Sequence, residues 1–314
     1  MASNRIDADF SEETVGLALE TFLSLLSFPR FRMSIEPFSR GKERWLGTDA
    51  RMRHEIEGFA PFYMQFKRPS AYPDYSRSKI IRDRKSLISH DAASPRALFF
   101  GLRDKRNNQP DYQHNVLFRW RQRLVNYSGS DAAYICPLFL ERAAYRFHVH
   151  LAGIRRWGKF WLQHPWDAGD VLINAGGNRI AFERIPVLAE HVSIPPHALV
   201  TSSKHRYSFS EEGHDLCFHS PEELPDGARR FGDWLGDLSQ AALTEKSLIY
   251  TESAGQILTE LLTMDDEIFP YPVEPTKKED GITQWLNFGE HMSKTYAIEQ
   301  FAFVVWKDEP PFPF

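Results

Sequence analysis

Residues 61–68, Pro-Phe-Tyr-Met-Gln-Phe-Lys-Arg, constrain the fold more than any other stretch. Phe62, Met64 and Phe66 alternate with Tyr63, Gln65 and Lys67, the two-residue period of a β-strand. One face is apolar, and the other sets an amide and an amine side by side. Upstream, Ser11–Ser27 reads as a helix. Asp9 or Ser11 caps it, Glu12 stands where a capping-box carboxylate would, and Val15, Leu19, Phe22, Leu23 and Leu26 recur at helical spacing before Pro29 stops it. Met33–Phe38 and Trp45–Met52 read as two further strands. Asp111–Asn126 reads as a helix burying Val116, Leu117, Trp120 and Leu124, and Ala132–Phe139 as a strand. The order helix, three strands, helix, strand predicts an α/β (α+β) fold with a central mixed sheet flanked by helices.

Between these elements, Pro69 to Asn108 reads as a basic, proline-bearing connection. Beyond residue 145 the pattern weakens. Arg155–Gln163, Asn178–Arg184 and Lys204–Phe209 have strand character, and His148 and His150 alternate as on a strand. Gly227–Leu243 and Ser253–Met264 look like amphipathic helices, a Pro-rich stretch spans Pro270–Pro275, and Thr295–Trp306 is apolar enough to dock as a terminal element before an extended tail. The expected organisation is a core at 1–145 and an α+β accessory region at 146–314, packed separately or as one continuous domain.

Charge divides the chain in a similar place. Residues 30–160 hold 26 Lys and Arg against 12 Asp and Glu, whereas residues 161–314 hold 11 against 25. The net charge of −4 hides this asymmetry. Such a basic excess suits a polyanion such as nucleic acid, and it equally suits a surface that pairs with the acidic half. No apolar stretch approaches the roughly 18–20 residues of a membrane span, and no secretory start is present, so no membrane partner and a cytoplasmic setting are expected. Cys136 and Cys217 cannot make a zinc site alone, and the 12 histidines show no zinc-ligand spacing. A Gly-x-Ser-x-Gly elbow and a Walker loop are both missing from the sequence.

Phosphodiester hydrolysis needs a cation to stabilise charge and generate hydroxide, oxygen ligands to hold it, and a cationic side chain near the attacking water. Asp49, in Leu46-Gly47-Thr48-Asp49-Ala50, precedes Gln65 and Lys67 by sixteen and eighteen residues. An Asp on one strand, Gln-x-Lys on the next and a Glu near the start of the preceding helix resemble the PD-(D/E)XK nuclease superfamily in its Gln-x-Lys form. The runs Gly47–Ala50 and Phe62–Lys67 are also similar to uncharacterised bacterial defence-associated proteins. The resemblance covers roughly residues 10–140.

It implies a restriction-endonuclease-like core using Mg2+ (or Mn2+), with Glu12, Asp49 and Gln65 as metal ligands and Lys67 positioning water. Glu13 and Glu20 stand as alternatives to Glu12. It further implies that Gln113 turns towards the site; the basic stretch from Arg77 to Arg123, with Arg82, Arg84, Lys85, Arg119, Arg121 and Arg123, reads from its charge as the seat of the DNA backbone. The expected activity is a DNA endonuclease in antiviral defence, with a second subunit or a second copy of the chain as protein partner. Each residue also has a structural reading: Asp49 as a turn residue, Lys67 as an ion-pair partner, Glu12 as a helix cap. A fold of this kind that binds without cutting is the alternative function.

Overall fold

The computed structural model describes residues 4–26, 33–39, 56–87, 96–107, 109–161, 182, 185–219, 227–242, 247–264, 269 and 280–307. The expected strand at Trp45–Met52, with Asp49 in it, lies outside the described residues, as do Pro270–Pro275, the C-terminal tail and all of Asn178–Arg184 except Phe182.

The strand read at 61–68 begins earlier, as β3 (Ile56–Phe66), and all of it but Glu57 is buried. Pro61 interrupts nothing. The Tyr63 N–H points to the same edge of β3 as the Pro61 nitrogen and donates to the Asp131 carbonyl at 2.9 Å. On that edge β11 (Ile249–Tyr250) pairs only Gly58 and Phe59, while β6 (Ala132–Pro137) pairs Tyr63 to Phe66. The missing N–H of Pro61 therefore falls in the gap between two partners, where no ladder bond is lost.

On the other edge of β3 lies β12 (Glu299–Trp306), antiparallel, with Phe301 opposite Phe62. The main sheet runs β10 (Arg229–Arg230), β7 (His191–Ile194), β6, β3, β12, β2 (Met33–Pro37), and β3 and β6 are its parallel pair. Helices cover both faces, the condition for a strand buried on both sides. Tyr63 meets Trp120 of α3 (Gln113–Arg123) and Phe288 of α8 (Gly281–Tyr296), with ring centroids 5.4 and 6.2 Å apart. On the opposite face Phe62 meets Trp234 of α6 (Phe231–Ala242) at 5.8 Å, and Phe66 lies against Gly16 of α1 (Glu12–Leu26). The fold is thus mixed α/β, a mixed sheet flanked by helices.

Two expectations need correction. The connection at 69–108 is folded: it contains β4 (Ser70–Pro73), α2 (Lys79–Leu87) and β5 (Arg96–Gly101). With β1 (Ile6–Asp7), β8 (Arg206–Ser210) and β9 (Cys217–His219) these strands form a second, antiparallel sheet ordered β1-β4-β5-β8-β9. His148, His150 and the start of 155–163 lie in α4 (Arg142–Trp161), not on strands. Tyr145 and Ala152 are buried there and Val149 packs on the core, a helical spacing that overrides the local alternation. The segment 146–314 packs continuously with the rest. Its β7 and β12 complete the main sheet, and one hydrophobic cluster runs from Ala8 to Trp306. The described residues also form the helices α5 (Pro186–Ala189) and α7 (Ala254–Thr263). Among the described residues no helix is long and apolar enough to cross a membrane.

Candidate functional site

Where β3 ends, the chain passes from one sheet to the other. Lys67 still donates its backbone N–H to Ile135 at 2.9 Å, as a continuation of the parallel pairing, and then Arg68-Pro69 turns the chain into β4 of the second sheet. The segment leading into α1 is tied to this corner through Ala8 N–H to the Pro69 carbonyl and Asp9 N–H to the Leu140 carbonyl. A cleft of about 490 Å³ opens there, lined by Arg5, Glu12, Arg68, Phe100, Arg103 and Arg206 among others. It sits at the carboxyl end of a parallel strand, a place where α/β sheets commonly bind ligands.

Glu12 occupies the first turn of α1. Ser11 provides the cap, its hydroxyl accepting from Thr14 N–H at 3.3 Å, while Asp9 accepts from Arg142 N–H at the start of α4. Freed from capping, the Glu12 carboxylate forms an ion pair with Arg103. Lys67 is 1% exposed, with its amine 5.4 Å from the centre of the Tyr134 ring. Burial pulls its pKa down to about 8; the Glu12 charge opposes that shift and the Arg103 charge adds to it. Glu12 and Arg103 line the cleft; Lys67 does not, but the charges of both act on its amine.

Gln65 lies on the same strand face as Tyr63 and Lys67. It is 1% exposed, and neither atom of its amide has a hydrogen-bond partner among the described residues. It is not part of the cleft lining. Gln300, opposite Tyr63 on β12, is in the same condition. Asp49 lies outside the described residues.

Several expected nucleic-acid contacts are committed elsewhere. Arg84 is buried, donating to Ser208 Oγ at 3.1 Å and the Asp215 carbonyl at 2.8 Å. Arg123 is buried and donates to the carbonyls of Leu261 and Leu262 in the last turn of α7 and of Met264 just past it. Gln113 is buried, with its amide on the Tyr296 carbonyl. These three are structural, and the sequence reading of them as ligand contacts is corrected. Arg119 and Arg121 pair with Asp111 and Asp131 at 2.5 and 2.8 Å. Arg82 and Lys85 are exposed on α2.

Instead the cleft gathers Arg5, Arg68, Arg103 and Arg206. Arg68 follows the Gln-x-Lys element directly and was in plain view. The other three come from segments that only the second sheet brings together, so local pattern carries no sign of them.

Sequence reading also missed a relay in that sheet: Asp83 Oδ2 lies 3.0 Å from His219 Nδ1, and His219 Nε2 lies 2.7 Å from Ser208 Oγ. This is the order of a hydrolytic triad. Ser208, however, is wholly buried and also accepts from Arg84, so its hydroxyl has no path to a substrate. The relay ties α2 to β8 and β9.

Among the described residues no group of three or more His, Cys, Asp or Glu side chains could hold a metal ion. Glu12 and Glu13 are the carboxylates that line the cleft. No protein-family model, curated protein or solved structure matches this chain.

Proposed function

We propose that the chain is a nuclease that hydrolyses phosphodiester bonds at the cleft lined by Glu12, with the Lys67 amine buried close to it. The observation that carries this reading is that, at the carboxyl end of β3, a cleft lined by a carboxylate and a wall of arginines lies next to the buried Lys67 amine, which is outside the lining but feels the Glu12 charge and has a pKa near 8. Arginine guanidiniums match phosphate geometry and stabilise its developing charge. A lysine whose pKa lies near the working pH can exchange a proton with attacking water, which here requires water to reach an amine that is 1% exposed. A helix α1 before β2 and β3, and a helix α3 before a β6 that runs parallel to β3, support a PD-(D/E)XK-like core, with β4, α2 and β5 inserted between β3 and α3 and β12 lying between β2 and β3 in the sheet.

Dependence on Mg2+ or Mn2+ belongs to the proposal. Glu12 and Glu13 alone give fewer ligands than a hard cation takes, so the metal reading rests on Asp49 joining them. A role in antiviral defence, with a second subunit or a second copy of the chain, stays attached to the same proposal. The second reading is a nucleic-acid-binding subunit without turnover. It is favoured by the engagement of Glu12 by Arg103 and by the placement of Gln65 and Lys67 outside the cleft lining.

The test is to incubate single-stranded DNA, duplex DNA and RNA with Mg2+ or Mn2+ and wild-type protein, Glu12→Gln, Lys67→Met or Asp49→Ala. A loss of at least a hundredfold in rate is expected for each variant. Cutting that survives Glu12→Gln and Lys67→Met removes this centre from the mechanism, and a wild type that binds without cutting leaves the second reading.

A further inference from the structure

We propose that the arginine cleft is a seat for a phosphorylated strand end, so that the preferred substrate is single-stranded nucleic acid carrying a terminal phosphate. The choice of nucleic acid over another organic phosphate rests on the nuclease reading; the choice of a single end rests on the cleft itself.

Four guanidiniums from four separate segments converge there: Arg5 before β1, Arg68 between β3 and β4, Arg103 after β5 and Arg206 opening β8. Arg103 answers Glu12, and Arg5 is 2.7 Å from Asp7. Arg68 and Arg206 are exposed and form no salt bridge among the described residues. Arg206 lies over the Phe99 ring at 6.0 Å and Arg5 over the same ring at 5.7 Å, so a single aromatic side chain steers two of the cations. No Cβ would meet anything within 4 Å at Gly101, which leaves open space on this wall.

The distribution of charge separates a strand end from a duplex. A protein seated along a duplex spreads its cations over the phosphates of a groove. Here they are gathered around one cavity of about 490 Å³, within the roughly 300–1,000 Å³ of small-molecule sites. A terminal phosphomonoester brings nearly two negative charges to one point and several acceptor oxygens, which suits guanidiniums arriving from different directions. Internal diesters bring one charge each. A strand end held there lies beside Glu12, which lines the same cavity.

Binding can be measured without turnover, in EDTA, by fluorescence anisotropy with an internally labelled single-stranded oligonucleotide. The oligonucleotide carries a 5′-phosphate, a 3′-phosphate or hydroxyls at both ends, with a blunt duplex alongside. At least one phosphorylated strand should bind tenfold or more tightly than the hydroxyl-ended strand and the duplex. Arg206→Ala and Arg68→Gln should each abolish that preference, with circular dichroism and melting temperature matching wild type. Equal affinity with and without terminal phosphate overturns the proposal, as does a preference that survives both substitutions. Because nothing is cleaved, a failure of the nuclease reading leaves these outcomes readable, and an active nuclease indifferent to end chemistry refutes only the seat.

Discussion

Lys67 is the residue whose burial and chemistry disagree most. An amine in the interior costs the folded state whenever it must carry its charge there. Its pKa falls from 10.5 to about 8, so at neutral pH the unfolded chain holds this proton more cheaply. The sign follows: between pH 8 and 10.5 the unfolded state binds more protons at this site, so this group's contribution to stability rises with pH across that window and is least favourable below it. Lys67→Met keeps the volume and removes the charge. It should raise stability at pH 7 by about 3 kcal/mol, read from urea denaturation, while removing cleavage. A large loss of stability instead would make Lys67 a structural residue. If Lys67 accepts a proton in the reaction, wild-type activity should be half-maximal near pH 8 and level off about one unit higher. Glu12 and Lys67 were legible because strand alternation and a helix start locate them. The arginines were not, because their convergence is a property of the second sheet.

At the scale of elements, Arg123 shows why a basic helix need not face a ligand. It ends α3, but its guanidinium reaches Leu261, Leu262 and Met264 at 3.0, 3.2 and 2.9 Å and lies 5.0 Å from the Phe269 ring centre. The last carbonyls of a helix lack intrahelical donors, and a planar fork satisfies several at once. Arg123→Ala strands those acceptors and should cost about 3 kcal/mol. Arg123→Lys, a point charge with no fork, should recover less than half of that in the same urea titration. Full stability in Arg123→Ala would mean that water replaces the cap. Arg119, Arg121 and Arg123 look alike in sequence, and only their partners separate them. Periodicity revealed α1, α3, α6, α7, β3 and β6. It failed for α4, where His148 and His150 imitate a strand, and for α8. The start of α8 is marked by Asp280, whose carboxylate accepts from Thr283 N–H at 2.8 Å. That signal is visible only once a helix is suspected.

For the whole molecule, the consequence of β12 is that the chain cannot be divided at residue 145. Without residues 146–314, β3 loses its pairing from Ile56 to Met64, Phe62 loses Trp234, Phe301 and Phe303, and Tyr63 loses Phe288. A strand built to be buried on both faces is then exposed along one edge and much of its surface. Residues 1–145 alone should therefore show no cooperative thermal transition and should bind hydrophobic dyes. The partner fragment carries opposite charge: 23 Lys and Arg stand against 17 Asp and Glu in 1–145, and 15 against 25 in 146–314, giving +6 and −10. Mixing the two should restore a cooperative transition, with an association rate that falls as salt rises while the final signal stays the same, since burial and not charge holds the sheet together. Arg96 in β5 and Glu211, 2.5 Å apart, form one contact between the fragments that salt weakens. A cooperative transition in 1–145 by itself would overturn this view of the fold. It would return the C-terminal half to the role of an accessory layer, which its charge alone suggested.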